Sequence, residues 1–250
     1  MTGEPTFPPL FNGFRVELDD DPVAVASNAA ASGSGGAGDL YWSASETRLS
    51  LALIVEPEVS AGQAMDMLIV AMVAFGDSVG AIAPPEVGIT YTWPQTLLVN
   101  GARVGSVSIH FAPDTRIDGI PDWMVIELNA QIAFEDGMPE PGLYIDRTTL
   151  WDEGCGDLTR DMVLESFVRH LKTWIHNWEM DGVRPVREAW LARAVKPGEP
   201  VTFAVAGEKK EGTFLGLDES GGMLVKTDDS TIVAELAACL QPDPFGGAGK

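Results

Sequence analysis

Apolar positions recur at helical spacing in two long stretches of the chain. Over residues 62–80 the apolar side chains are Met65, Leu68, Ile69, Met72, Val73 and Val79. From Thr159 to Gly182 they are Leu164, Phe167, Val168, Leu171, Ile175 and Trp178. Each pattern predicts a helix with one apolar stripe packed against a sheet. A shorter helix is expected over residues 185–194, and an alanine-rich helix from Pro22 to the glycines at 33–38.

Strand-like runs lie between these helices. "DLYWSAS", "RLSLALIVEP" and "GITYTW" are rich in aromatic and β-branched residues and are bounded by glycine, proline or polar clusters. "TLLV" and "ARVGSVSIH" flank Asn100-Gly101, which predicts a hairpin with a type I′ turn. "DWMVIELNAQIAF" alternates apolar and polar residues, as a further paired strand does. Residues 1–21 are predicted to be irregular, so the expected class is α+β, with a mixed, mostly antiparallel sheet packed by helices.

The last quarter of the chain has a different pattern. After Lys196-Pro197-Gly198, four short strand-like runs are separated by glycine and aspartate turns. This pattern predicts a small SH3-like C-terminal β-barrel. The expected organisation is therefore a main domain over residues 1–195, the barrel over 196–242, and a flexible tail over 243–250.

The charge balance narrows the choice of partners. The chain of 250 residues holds 37 acidic and 16 basic residues, a formal net charge of -21, which repels phosphate backbones. Lys209-Lys210, the richest basic stretch, is typical of a solvated hairpin, so no nucleic-acid partner is expected. The most apolar stretch, residues 64–82, is interrupted by Asp66 and Asp77. It is interpreted as a core helix, and no membrane partner is expected.

Cysteine and histidine usage suggests neither a disulfide framework nor a metal site. The two cysteines, Cys155 and Cys239, are too few for such a framework, and the N-terminus lacks the pattern of a secretory leader. The expected location is therefore the cytoplasm. His110, His170 and His176 show no metal-ligand spacing, so no metal site is predicted.

Several motifs in order resemble one known family. "TWPQTLLVNGARVGS", then "IELN", then a helical pair, then a barrel containing "FLGLDESGGMLVKTDDST" are similar to the biotin protein ligases and their lipoate ligase relatives. The resemblance covers nearly the whole chain. It implies a biotin/lipoate ligase-like fold. Because the chain begins at the catalytic-type domain, without the DNA-binding domain of some relatives, no repressor function is expected.

The resemblance also implies a chemistry. The family joins the carboxylate of biotin or a lipoyl-type acid to the α-phosphate of ATP, with Mg²⁺, and then transfers the acyl group to a lysine of a carrier domain. The family motif K-W-P-N-D appears here as Thr92-Trp93-Pro94-Gln95-Thr96. Thr92 lacks the catalytic cation, and removing one such stabiliser costs roughly a hundred- to thousandfold in rate. Gln95-Thr96 lacks the carboxylate, so ATP and Mg²⁺ are both in doubt.

A third departure concerns a G-R-G-R-type loop, which the family carries between the strands read here as "DLYWSAS" and "RLSLALIVEP". Only "ETR" remains at that place, which favours a deletion. Alternatively, the glycines at 33–36 align with the loop, but they bring no arginine and precede the strand. Retained features are a basic residue, Arg103, a glycine that allows close approach, Gly105, and a strand-end amide, Asn129. The predicted ligand-binding residues are Trp42, Ser43, Thr92, Gln95, Arg103, Gly105 and Asn129.

Three functions are compatible with this sequence. The first is a ligase-like protein that binds a biotin- or lipoyl-type acid in a degenerate active site, with activation by ATP lost or altered. The second is a non-catalytic scaffold for a biotinyl or lipoyl carrier domain. The third is an acyltransferase that uses no ATP, with Cys155 as its nucleophile, although no activating base is near it in the sequence.

Overall fold

The computed structural model describes residues 4–134, 146–205, 208–228 and 230–236. The predicted flexible tail, residues 243–250, lies outside the described residues, and so does Cys239. In chain order the elements are β1 (Asn12–Val16), α1 (Pro22–Ser32), β2 (Asp39–Ser43), β3 (Arg48–Val55), α2 (Ala61–Ala64), α3 (Asp66–Gly80), β4 (Ile89–Thr92), β5 (Thr96–Val99), β6 (Ala102–Phe111), β7 (Met124–Gln131), α4 (Arg160–Asp181), α5 (Val183–Leu191), β8 (Pro200–Val205), β9 (Glu208–Leu217), β10 (Met223–Lys226) and β11 (Thr231–Ala234).

The first seven strands form one mixed sheet in the order β1-β2-β3-β7-β6-β5-β4. β1 pairs with β2 in parallel, and the other neighbours pair antiparallel. The predicted helix-packed, mostly antiparallel sheet is therefore confirmed. The expectation that residues 1–21 are irregular was wrong for Asn12–Val16, because this short run gains its hydrogen bonds from β2, a partner that local sequence does not reveal.

The β5–β6 hairpin turns at Asn100 and Gly101 as predicted. Their φ angles are 51° and 89°, and both positive values are what a type I′ turn requires. The Asn100 side chain also accepts a hydrogen bond from the Gly88 N–H at 2.9 Å. The turn is thus tied to the start of β4, and the hairpin and β4 are held as one three-stranded unit.

Helix α3 lies at the centre of the molecule. It contacts β4, β6 and β7 on one side and α4 and α5 on the other, so nearly all of its residues are buried. The prediction of a single helix with one apolar stripe was wrong in two respects. The helix is interrupted at Met65, between α2 and α3, and α3 is buried on all sides. The second helical layer explains the absence of a polar face.

The segment from Ala61 to Gly80 is long and apolar enough to cross a membrane, judged by length and composition alone. In the fold, 83% of its most apolar window is buried inside the protein. Such burial is what the core helix of a folded domain shows.

Helix α4 begins at Arg160 because the Thr159 side chain accepts a hydrogen bond from the Met162 N–H. It ends before Gly182, whose φ is 74°. Both ends agree with the prediction. Helix α5 starts at Val183, two residues before the predicted start. Together α4 and α5 form the outer layer over α3.

Helix α1 packs on the opposite face of the sheet. The Asp21 carboxylate caps its first turn, Pro22 occupies an early helical position, and Gly33 ends it with a φ of 72°. The helix forms a small apolar cluster with β1, β2, β3 and β7, whose buried members are Val16, Ala26, Tyr41, Ala52, Ile54 and Val125. α1 therefore covers one end of this face.

Strands β8 to β11 form a second sheet in the order β11-β10-β9-β8. Over the described residues it is an open antiparallel sheet, compatible with the predicted SH3-like barrel. Its apolar residues, including Phe214 and Val225, belong to the same core cluster as α3. The Trp93 indole N–H also donates to the Gly221 carbonyl at 3.0 Å, and Arg187 donates to the Asp218 carbonyl at 2.8 Å. The small sheet is thereby packed against the main domain.

Two aspartates in α3 face the outer helices. Asp77 accepts from the Trp174 indole at 2.8 Å and pairs with Arg193 at 2.7 Å. Asp66 accepts from the Trp178 indole at 2.8 Å. Burial raises the pKa of Asp66 from 3.8 to about 6, although the Trp178 hydrogen bond and the charge of Arg187 oppose the shift. Asp66 therefore binds a proton more tightly in the folded protein than in the unfolded chain.

We expect Asp66→Asn to stabilise the protein at pH 8 and to have little effect at pH 4. The raised pKa means that the charged carboxylate costs stability above about pH 6, and that this cost disappears as pH falls toward 3.8. The gain should be about 1–3 kcal/mol, measured by denaturant unfolding at both values of pH. Asp77→Asn removes the same charge but breaks the Arg193 ion pair, so it should bring no gain. Equal gains from both variants would instead indicate a general relief of net negative charge.

Candidate functional site

A row of small polar side chains crosses six strands on the face opposite α3. In the strand register Thr92 lies opposite Thr96, Thr96 opposite Ser106, and Ser106 opposite Asn129. Ser50 is the partner of Asn129 on its other side, and the β2–β3 register, continued by one residue, places Ser43 beside Ser50. We call this set the polar row: Thr92, Thr96, Ser106, Asn129, Ser50 and Ser43.

Three members of the polar row are buried although they are polar. Ser43, Ser50 and Ser106 are 3%, 7% and 1% exposed. The Ser106 hydroxyl is buried and has no hydrogen-bond partner among the described residues. Such a group costs free energy until something bonds to it. The polar row is therefore suited to a ligand that supplies hydrogen-bonding atoms.

Two titratable side chains lie beside the polar row: Glu127 is two residues from Asn129 along β7, and His110 is four residues from Ser106 along β6. The Glu127 carboxylate is 2.6 Å from His110 Nε2, and its other oxygen accepts a hydrogen bond from the Asn129 amide. Glu127 is 14% exposed and His110 is 39% exposed. The pair fixes the orientation of the Asn129 amide. Sequence reasoning did not select either residue, although the alternation along β7 places Glu127 on the face of Asn129.

Thr92 and Gln95 flank the turn between β4 and β5. The bond between Trp93 and Pro94 is cis. Gln95 is 7% exposed; its backbone carbonyl accepts a hydrogen bond from the Val107 N–H at 3.0 Å, and its side-chain amide donates to the Ser108 hydroxyl at 3.5 Å. Both predicted residues thus lie at the end of the polar row, where the side chains at 92 and 96 are neutral hydroxyls.

The connection between β2 and β3 is short. Residues 44–47 alone join Ser43 to Arg48, and they bond among themselves. The Ser45 N–H donates to the Ser43 hydroxyl, and the Arg48 N–H donates to the Ser45 hydroxyl, both at 3.2 Å. The glycines at 33–36 instead lie between α1 and β2. The deletion of the arginine loop stays a prediction from the sequence.

Arg103 and Gly105 lie on either side of a β-bulge in β6. Leu98 pairs with Arg103 and Leu97 with Gly105, so Val104 is the extra residue. Because Leu97 faces the main core and Leu98 does not, Arg103 shares the face of the polar row. A Cβ added to Gly105 would overlap the carbonyl oxygen of Asn129. This glycine thus serves the close approach of β6 and β7.

Two other predicted residues lie in the main core. Trp42 is 5% exposed and packs edge-to-face on Phe7, with 5.4 Å between ring centroids. Cys155 is a free, buried thiol, and burial, followed by the charge of Glu153, raises its pKa. A raised pKa keeps the thiol neutral, which is the opposite of what a nucleophile needs. The structure thus brings Ser43, Thr92, Gln95, Arg103 and Asn129 to one face, without Trp42, Gly105 or Cys155.

Comparison with known proteins gives consistent matches. The model of the biotin/lipoate A/B protein ligase family matches residues 7–192, and that of the biotin protein ligase C-terminal domain matches residues 198–238. The biotin–[acetyl-CoA-carboxylase] ligase of Paracoccus denitrificans is 26% identical over 180 residues, which are 70% of this chain and 72% of that protein.

Solved structures show the same fold. A biotin protein ligase-like protein of unknown function from Silicibacter sp. TM1040 is 36% identical, with a TM-score of 0.84 over 95% of this chain and 100% of that one. The Aquifex aeolicus biotin protein ligase in complex with biotin and ATP is 16% identical. Its TM-score is 0.73 over 91% of this chain and 97% of that one.

We expect Gly105→Ala to destabilise the protein by about 1–3 kcal/mol, because the added methyl group must displace the β7 backbone. Gly80→Ala is the matched control, since an added Cβ there meets nothing within 4 Å; it should change stability by less than about 1 kcal/mol. Chemical denaturation of both variants measures the difference. An unchanged Gly105→Ala stability together with a loss of ligand binding would assign Gly105 to the ligand instead.

Proposed function

The chain belongs to the biotin/lipoate A/B protein ligase family, and from this premise we propose that it binds a biotin- or lipoyl-type acyl group on the polar row, with ATP-dependent acyl-adenylate formation lost or altered. The observation that carries this proposal is the neutrality of the polar row. Thr92 and Thr96 face each other across β4 and β5, where the family resemblance implies a lysine and an aspartate.

The donor set at these positions does not fit ATP with Mg²⁺. Mg²⁺ prefers carboxylate and phosphate oxygens, and developing phosphoryl charge needs a fixed cation. Thr92, Gln95 and Thr96 offer two hydroxyls and an amide. The proposed function therefore includes no nucleotide-dependent step.

The acyl-binding half of the proposal has independent support. The buried Ser106 hydroxyl and the oriented Asn129 amide offer hydrogen bonds at the centre of the polar row. Arg103 lies on the same face, and a guanidinium matches the geometry of a carboxylate. These groups bind and orient a ligand without activating it.

The partner in this proposal is a carrier domain that bears an acylated lysine. The name of the Paracoccus relative specifies acetyl-CoA-carboxylase as its acceptor. By extension, the acyl group bound here would belong to, or be destined for, a biotinyl or lipoyl carrier. The cytoplasmic location expected from the sequence is part of the same proposal.

The test is thermal unfolding with biotin, lipoate, octanoate, a non-hydrolysable acyl-adenylate analogue, and ATP with Mg²⁺. A ligand at a hundred times its dissociation constant adds about 2.7 kcal/mol, which shifts the midpoint by roughly 5–10 °C for a chain of this size. We expect that shift with at least one acid or with the adenylate analogue, and less than about 1 °C with ATP and Mg²⁺.

A pair of restoring substitutions sharpens the test. Thr92→Lys combined with Thr96→Asp should produce or increase the shift with ATP and Mg²⁺, because it returns a cation and a carboxylate to facing positions. Thr173→Lys, on the exposed side of α4, controls for the added positive charge. If no acid or analogue shifts the midpoint, acyl binding is rejected, and the scaffold function is then tested by binding to an isolated carrier domain.

A further inference from the structure

A cavity of about 150 Å³ lies where the small sheet packs against the main domain. Tyr91 and Trp93 line it from β4 and the turn that follows, Trp190 lines it from α5, and Phe214 and Met223 line it from β9 and β10. All five side chains are buried. The cavity walls are thus four aromatic side chains and one thioether, and both sheets and the outer helical layer contribute to them.

Contacts outside the cavity hold these walls in place. Tyr91 stacks on Trp190 with 6.0 Å between ring centroids, and the Tyr91 hydroxyl packs so closely on Gly76 of α3 that a Cβ there would overlap it. Trp93 is held by its hydrogen bond to the Gly221 carbonyl. Protein interiors contain few voids larger than a water molecule. A space of this size between fixed side chains is therefore a feature that a ligand can use.

The cavity is separate from the polar row. Tyr91 and Trp93 belong to the core cluster that contains α3, whereas Thr92 between them belongs to the polar row on the other side of β4. The lining also includes Pro200 and Thr202 of β8, which are exposed. One side of the cavity therefore faces solvent, and a small molecule can enter it without crossing the polar row.

The lining contains one buried donor without a partner. Trp190 is 1% exposed, and its indole N–H has no hydrogen-bond partner among the described residues. Such a donor costs free energy until an acceptor bonds to it. Over the described part of the chain, no Asp, Glu, Lys, Arg or His side chain lines the cavity. A charged group would lose its hydration there without gaining an opposite charge, so the favoured ligand is uncharged and carries an acceptor.

The volume limits the size of that ligand. An apolar cavity of about 150 Å³ holds one molecule of the size of benzene. Biotin, with two fused rings and an acid chain, exceeds that size. The cavity therefore selects a different ligand from the acyl group assigned to the polar row.

We propose that this cavity is a binding site for a small uncharged molecule, about the size of one six-membered ring, that bears a carbonyl oxygen or a similar acceptor. The ring packs among Tyr91, Trp93 and Phe214, and the acceptor receives the hydrogen bond of the Trp190 indole N–H. Because the ligand contacts both sheets, its binding stabilises their packing. The site does not depend on the function proposed for the polar row.

The experiment is an NMR titration of the ¹⁵N-labelled full chain with three probes. Cyclohexanone carries an acceptor, toluene is apolar and of similar size, and benzoate carries a charge. The indole N–H resonance of Trp190 is identified by its loss in Trp190→Phe. We expect cyclohexanone and toluene to bind and benzoate not to bind. Cyclohexanone alone should shift the Trp190 resonance in the way that a new hydrogen bond does.

Two variants test the cavity and the donor separately. Val201→Phe adds bulk at a residue of the lining and should abolish binding of both neutral probes. Its control is Val233→Phe, at an exposed position of β11 outside the lining, which should bind as the unsubstituted protein does. Trp190→Phe keeps an aromatic side chain and removes the donor. It should weaken cyclohexanone binding about 10-fold relative to its effect on toluene. Thermal unfolding without ligand confirms that each variant is folded.

Three results would overturn the inference. If neither neutral probe binds the unsubstituted protein at millimolar concentration, the cavity is not a binding site. If a folded Val201→Phe binds both probes unchanged, they bind elsewhere. If Trp190→Phe affects both probes equally and cyclohexanone leaves the Trp190 resonance in place, the indole N–H is not the group that selects an acceptor.

Discussion

The register of the central strands determines both the stability and the chemistry of this protein. Val107 and Leu128 pair across β6 and β7 and face α3, while the next pair, Ser106 and Asn129, faces the other way. A slip of one residue would exchange the two faces. The Asn100-Gly101 turn, the bulge at Val104 and the contact of Gly105 with β7 together hold the register. The site and the core are thus specified by the same backbone pairing.

The neutral side chains of the polar row change the energetics of a site built on a buried sheet face. A lysine and a carboxylate there must be desolvated, and each needs the other or a ligand to remain charged. Hydroxyls at Thr92 and Thr96 avoid most of that cost but bring no charge to a ligand. Arg103 keeps a positive charge on this face, one bulge away from Ser106.

Sequence patterns predicted those elements whose signals are local. The hairpin at Asn100-Gly101 and the two ends of α4 depend on turn and cap residues adjacent to them. β1 was missed because its partner β2 lies more than twenty residues away, and α3 was assigned one apolar face because the helices that cover its other side come much later in the chain.

For the candidate site, five of the residues selected from motif order lie on one face, and strand parity would have excluded Trp42. Trp42 is adjacent to Ser43, so in an extended strand the two must project to opposite sides. The structure places Trp42 in the core and Ser43 in the polar row. Glu127 and Asn129 are two residues apart in β7, so the same alternation places both on one face. Motif comparison alone does not show this.

Trp93, in the turn after β4, has a structural role that is separate from chemistry. Trp93 is buried and donates its indole N–H to the Gly221 carbonyl in the turn between β9 and β10, so it joins the small sheet to the main domain. Thr92, its neighbour, projects to the other face and makes no comparable link between the sheets among the hydrogen bonds of the described residues. Because the two side chains face opposite ways, the packing through Trp93 does not depend on which residue stands at position 92.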